Sequence, residues 1–496
     1  GGTGTGGTGT GGTGATAGTS TGAGGSAGAT GPAGGAAGSG TGGAPMGGAG
    51  PAGGQGGTVG TGGSGAMAGA GGSNNPPPGG GGKENNGASC MLTGTIPPYS
   101  AAVTNSKLPD PFKFLNGMRL ANKADWPCLR NELKAALEAS IYGPKPPKPD
   151  KVEATFSGGK ITINMTQGSK TASFSVTVSG GGTKDKPVPV LITCGGSSLP
   201  KLSGVAQIDM NNNNIASEMT QGSGTMYTLM GDAATKSGAL IGWAWGCSRI
   251  IDALEIVGAD AGVDIKRIAV TGCSRNGKGA LAMGAFDERV ALTLMQEGGS
   301  GGSAAWRVSQ KEKGMGQNIQ ESNEIVGEAR WQGPDFKQYS ANQAGNDKLP
   351  ADQHFAVALC APRAVFLIEN DIDWLGPVAA FVGGIAGKEV YKALGIPERH
   401  TVWVASDHSH CSFPTSDQGT CLNNYVSQFL MGKASKTTGF DALFTKSTTT
   451  KLPIKSYSDA KPDDWTAHKA DWIDWETPTL AGDLAWDPFA GDPKGM

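Results

Sequence analysis

Charge is what the beginning of this chain lacks: the first charged residue is Lys83. Nearly everything before it is Gly, Thr, Ala and Ser with scattered Pro. It holds 39 of the chain's 84 glycines, so it offers too little apolar surface to offset the entropy of ordering its backbone. Residues 1–88 are therefore expected to form a disordered, flexible linker. No regular repeat points to collagen, and no 18-residue apolar run points to a membrane helix. The sequence starts inside this linker, so a signal peptide, lipid anchor or upstream module is expected to have been removed or to lie outside it.

Basic runs are missing as well. With a net charge of −2 and no clusters of Lys and Arg, nucleic acid and anionic membrane are excluded as partners, since both need concentrated positive charge. A small neutral or weakly charged substrate fits better. The eight cysteines contain no CxxC pair, which excludes zinc-ribbon and thioredoxin chemistry. An even cysteine count beside a secretion-style linker favours disulfides, and hence a protein that is secreted, extracellular or tethered to the cell surface through that linker. Free thiols in an intracellular protein are the other reading.

What remains, residues 89–496, is long enough for one large α/β catalytic domain. Alternating segments at Val152–Phe156, Lys160–Met165 and Ala172–Val178, separated by Gly-rich turns, predict antiparallel strands. The pattern then changes to strands at Val188–Thr193, Ile265–Val270, Ala291–Met295, Ala364–Ile368 and Thr401–Val404. Helical stretches at Ala239–Val257, at Ala280–Val290 and near Glu389–Leu394 separate them. Strands alternating with helices imply a mostly parallel sheet covered on both faces, with an antiparallel N-terminal part. In such sheets chemistry collects at the carboxyl ends of the strands. Ser274, Glu297 and His410 each fall just past one.

Ser274 lies in VTGCSRNGKGA, at a strand-to-helix turn. The usual hydrolase elbow is G-x-S-x-G, with small residues where the turn crowds the backbone. Here the second glycine comes one position late, at Gly277, and Asn276 occupies the crowded slot. By itself the pattern also fits a serine that merely opens a helix. Its companions decide between the two. Glu297, in LMQEGGSGG, follows Ser274 by the length of one helix and one strand, where a carboxylate can orient an imidazole and stabilise its cation. Two of the chain's five histidines, His408 and His410, sit in SDHSHCSFP near the end of the fold. The order Ser, acid, His is that of α/β-hydrolases.

Cys273 precedes the serine and Cys411 follows His410. If those two are bridged, their Cα atoms lie within about 7 Å, which favours His410 over His408 as the base. H-x-H-C also invites a metal reading, but no second ligand cluster at suitable spacing accompanies it, and no metal is expected.

From KLPDPFKFLNG and IYGPKPPKP through GALIGWAWGCSRIIDALE, VTGCSRNGKGAL, QEGGSGG, NEIVGEARW and APRAVFLIENDIDWLGP to HSHCSFP, the chain resembles a glucuronoyl esterase. The resemblance implies an α/β-hydrolase three-layer sandwich and a serine esterase without cofactor. It also implies a substrate, esters between 4-O-methyl-glucuronic acid of glucuronoxylan and lignin alcohols. By position it makes Ser274 the nucleophile, His410 the base, Glu297 the acid and Arg275 a donor to the oxyanion. The late glycine and Asn276 match the family too.

Lys278 shares a helix face with Ser274 and Arg275 and is expected to reach sugar hydroxyls. Gln320 and Glu328 match positions that hydrogen-bond the uronate ring, and Trp374 one that closes over the sugar. Asp371, after the strand Ala364–Ile368, is the alternative acid. Cys90 with Cys128, and Cys273 with Cys411, match family-type disulfides. Cys194, Cys247, Cys360 and Cys421 follow no assignable pattern and either pair or stay buried as thiols. A monomer is expected.

Overall fold

Short apolar runs between Gly-rich turns become the strands of a single sheet in the computed structural model, which describes residues 82–406, 408–413, 417–443, 465–466 and 468–494. Most of the expected linker, residues 1–81, lies outside the described residues. Residues 82–88 of that stretch are tied to the body of the fold. Glu84 pairs with Lys145 and with Arg249, each at 2.6 Å, and the Asn86 N–H donates to Glu288 at 2.6 Å. Burial opposes ionisation of Glu84, yet its cationic neighbours win and hold the carboxyl below the usual range.

The ten strands are β1 (Lys151–Ser157), β2 (Lys160–Gln167), β3 (Lys170–Ser179), β4 (Val188–Cys194) and β5 (Ala206–Met210), followed by β6 (Val263–Cys273), β7 (Leu292–Gln296), β8 (Ala364–Asn370), β9 (His400–Ala405) and β10 (Ala442–Leu443). Their order in the sheet is β1-β2-β3-β5-β4-β6-β7-β8-β9-β10. Pairing is antiparallel from β1 to β5 and parallel from β5 to β10. Tight Gly-Gly and Gly-Ser turns close the first two hairpins, whereas each parallel step needs a crossover over a sheet face.

Both faces of the sheet are covered at its centre, so β7 and β8 are buried along their whole length rather than alternating. In β8, Val365 and Leu367 join one core with Trp243, Leu281 and Phe381 of the helices Ala239–Val257, Arg275–Phe286 and Pro377–Leu394. Phe366 and Ile368, one residue out of step, join a second core with Leu422 and Tyr425 of the helix Asp417–Tyr425. This is the three-layer α/β-hydrolase arrangement, with an antiparallel N-terminal wing.

Two disulfides are present, Cys90–Cys128 and Cys273–Cys411. The other four cysteines are buried free thiols, and burial raises their pKa values, which makes them inert core residues rather than nucleophiles.

Candidate active site

β6 ends at Cys273 and the next helix starts at Arg275, so Ser274 alone makes the turn, at φ 61° and ψ −128°. The turn is possible because its neighbours are bare. A Cβ on Gly272 would sit 2.3 Å from the carbonyl oxygen of Asn276, and one on Gly277 would sit 2.2 Å from that of Gln296 on β7. The tight approach of helix to strand therefore falls at residue 277. Asn276 fits the preceding slot because its side chain points to partners: its Oδ1 accepts from Asn212 at 3.0 Å and its Nδ2 donates to the Gly195 carbonyl at 3.3 Å. The displaced glycine is thus an elbow with its close contact one residue later.

Glu297 follows β7 directly, fully buried, and its N–H donates to the Ile368 carbonyl at 2.7 Å. One carboxylate oxygen, Oε2, accepts from Nδ1 of His410 at 2.7 Å and from the Cys411 N–H at 2.8 Å. Cys411 is bonded to Cys273 with the Cα atoms 5.8 Å apart, so the residues flanking this bridge, His410 and Ser274, are fastened side by side. Among the described residues, the non-glycine residues with positive φ are Ser274, Glu297 and Cys411. Such backbones cost of order 1–3 kcal/mol each and persist where the surroundings over-determine them, typically at functional sites. All three meet at one point of the strand ends.

His408 plays a different part. Its side chain is 7% exposed against 28% for His410. Asn370 donates to its carbonyl at 3.1 Å and lies 3.2 Å from its Nδ1, so His408 anchors the loop from behind. Asp371 follows β8 and its N–H donates to the Ala405 carbonyl at 2.9 Å, while Nδ1 of His410 is engaged by Glu297. Cys273, Glu297, His410 and Cys411 bring ligand-type atoms within 4.8 Å of one another. That set does not fit a metal ion, because both sulfurs are joined to each other and the carboxylate already accepts two N–H groups.

Arg275 is 57% exposed, and its Nε lies 3.6 Å from Oε1 of buried Glu218. Glu218 is held in turn by the indole N–H of Trp331 at 2.7 Å and by Nδ2 of Asn213 at 3.1 Å. Lys278 is buried, and its ammonium donates to the carbonyls of Gly298 and Ser300, both at 2.6 Å, so it braces the loop that follows Glu297. Two of its three N–H groups are engaged there, and the ammonium lies 5.4 Å from the centre of the Trp331 ring. Burial pushes its pKa down to about 8. Ser300 donates to the Gln320 carbonyl at 2.6 Å, the Gln320 N–H donates to the Trp374 carbonyl at 3.0 Å, and the Gln320 side chain donates to Glu328 at 3.1 Å. The Trp374 ring meets the His410 ring edge-on, with centroids 4.8 Å apart. The four residues expected to contact sugar therefore form one connected set that leads back to His410.

Three features escaped sequence reasoning. Glu218 carried no motif. Neither did Asn212 and Asn213, within a run of four asparagines. Glu369, on β8, did have a signal, an acid inside an apolar strand. It is buried, accepts from Ser303 at 2.5 Å, and burial, with the charge of Glu297 adding to it, raises its pKa to about 8. It is therefore a neutral acid under most working conditions.

A family model described as glucuronyl esterase, fungi, matches residues 163–395. The chain is similar to the 4-O-methyl-glucuronoyl methylesterase of Neurospora crassa, with 41% identity over 395 residues, covering 79% of this chain and 93% of the relative. It is also similar to that of Hypocrea jecorina, at 40% over 399 residues and 80% of each chain. Among solved structures, the glucuronoyl esterase catalytic domain from Hypocrea jecorina superposes with a TM-score of 0.69 at 39% identity, covering 79% of this chain and 100% of that one. A glucuronoyl esterase from Sporotrichum thermophile, in complex with methyl 4-O-methyl-beta-D-glucopyranuronate, gives 0.69 at 37% identity with the same coverage.

Proposed function

The chain belongs to the glucuronoyl esterase family, and from that premise we propose that it hydrolyses esters joining 4-O-methyl-glucuronic acid of glucuronoxylan to lignin alcohols, through a glucuronoyl-enzyme. We place it outside the cell, acting as a monomer. The observation that carries this reading is the bridge that holds His410, already oriented by Glu297, against Ser274.

In the proposed reaction His410 takes the proton of Ser274 as its oxygen bonds to the ester carbonyl carbon, and the carbonyl electron pair moves onto oxygen. Arg275 and the N-terminus of its helix stabilise that anion. Collapse breaks the bond to the alcohol, which leaves with the proton from His410. Water, deprotonated by the same histidine, then attacks the acyl-enzyme and releases glucuronic acid and free Ser274. Glu297 stabilises the imidazolium in both halves. Lys278, Gln320, Glu328 and Trp374 hold the uronate, so selectivity rests on the acid side of the ester.

The substrate assignment is tested by comparing benzyl glucuronate with an acetylated xylose. The uronate ester is expected to be turned over strongly and the acetate weakly. Preference for the acetate would make the protein another kind of carbohydrate esterase.

Glu218 is a positioning residue for Arg275 in this scheme. Glu218→Gln keeps an acceptor for Trp331 but loses the charge facing the guanidinium. It is expected to lower kcat by roughly 10-fold, about 1.4 kcal/mol of barrier, with KM little changed. In an Arg275→Ala background, itself expected to lose on the order of 100-fold, the same change should add nothing. Additive losses would assign Glu218 a purely structural role.

A further inference from the structure

Four consecutive asparagines, Asn211 to Asn214, follow β5. Two of them serve the catalytic rim: Asn212 bonds to Asn276 of the elbow and Asn213 holds Glu218. Asn211 and Asn214, together with Asn213, line a groove of about 420 Å³, formed with Ser173, Phe174 and Ser175 of β3 and with Ser223. None of the ten residues lining it carries a charge. Amide and hydroxyl groups that can both donate and accept, beside one half-buried aromatic ring, suit an uncharged polyhydroxyl ligand and provide no counter-charge for an ionic one.

Its position fits such a ligand. β3 runs antiparallel to β5, so the N-terminal half of β3 lies at the carboxyl ends of the parallel strands, on the rim that carries Ser274. From β6 the sheet steps through β4 and β5 to β3, three strand spacings or on the order of 15 Å. Between them, at the end of β4, stands the bare pair Gly195 and Gly196. A Cβ on Gly196 would meet nothing within 4 Å, whereas one on Gly195 would meet the Asn212 and Asn276 side chains at 2.8 Å, so the surface between elbow and groove is open at Gly196 and lined by amides beside Gly195.

We infer that this groove is a subsite for the neutral sugar backbone that carries the uronate, an inference that rests on the esterase reading for its substrate. The groove takes neighbouring backbone units while the uronate branch reaches Ser274. Small uronate esters leave it empty.

The test measures binding and turnover separately. Uncharged xylohexaose is titrated into the full-length Ser274→Ala protein and into the same protein carrying Ser173→Arg, which fills the groove from an exposed strand position, or Asn214→Ala. Ser173→Arg is expected to weaken binding at least 10-fold and Asn214→Ala several-fold. In active protein both changes should remove the advantage of a xylo-oligosaccharide-borne ester over benzyl glucuronate, with benzyl glucuronate turnover unaltered. Equal binding by the parent and groove variants, or no binding by any of them, overturns the subsite even if the esterase is active. Groove-dependent binding by a protein that hydrolyses no uronate ester would uphold the subsite and overturn the esterase reading instead.

Discussion

Ser274→Ala is expected to lower kcat on benzyl glucuronate by roughly 10⁶-fold, the loss seen when a nucleophile acting in concert with its base is removed. Ser274 is the residue that makes the elbow turn, and its carbonyl already receives the Lys278 N–H at 3.0 Å while its own N–H donates to Gln296 at 3.0 Å. The backbone is thus fully committed and only the hydroxyl is removed. Alanine keeps the same Cβ at the same positive φ, so the strain of the turn is unchanged and the melting temperature should stay close to that of the parent. Turnover within 100-fold of the parent in a folded variant would show that another residue forms the acyl-enzyme.

Glu297→Gln is expected to cost roughly 10³–10⁴-fold in kcat, the scale found when the acid of a triad is neutralised. The His410 Nδ1 and the Cys411 N–H converge on one oxygen, Oε2, while Gln296 donates to the other at 3.4 Å, so an amide oxygen placed at the Oε2 position preserves the imidazole's orientation. What disappears is the negative charge 2.7 Å from Nδ1, in a buried setting where Coulomb attraction is weakly screened. The variant should therefore fold and bind substrate, with the loss confined to kcat. Asp371→Asn, measured alongside, is expected to stay within about threefold of the parent, about 0.7 kcal/mol of barrier, because Nδ1 of His410 is engaged by Glu297. The opposite ranking would transfer the acid's role to Asp371.

Much of this arrangement was legible in the sequence because it depends on local pattern. The helix Ala239–Val257 follows its apolar run to the residue, and the three N-terminal strands, alternating between turn glycines, extend only slightly past their predicted ends. What could not be read there depended on tertiary contact. The helix predicted from Ala280 begins at Arg275: RNGKG has poor helix propensity, but Gly277 and Gly279 let the backbone press against Gln296, Cys194 and Trp243. For the same reason the helix near Glu389 starts at Pro377, since Gly383 and Gly387, helix breakers by propensity, permit contact with Ser303 and Val357. β5, five residues long and inserted between β3 and β4, has no signature of its own. In the site, the residues of the proposed triad stand out by motif and order, whereas Glu218 and Glu369 matter only through neighbours that are distant in the chain.

The cystine that joins Cys273 to Cys411 spans 138 residues of sequence and so closes a loop that carries β7, β8 and β9. Without it the imidazole would sit on a loop moored to the rest of the rim through Glu297 and Asn370, and two thiols must lose their hydrogens before that mooring becomes covalent.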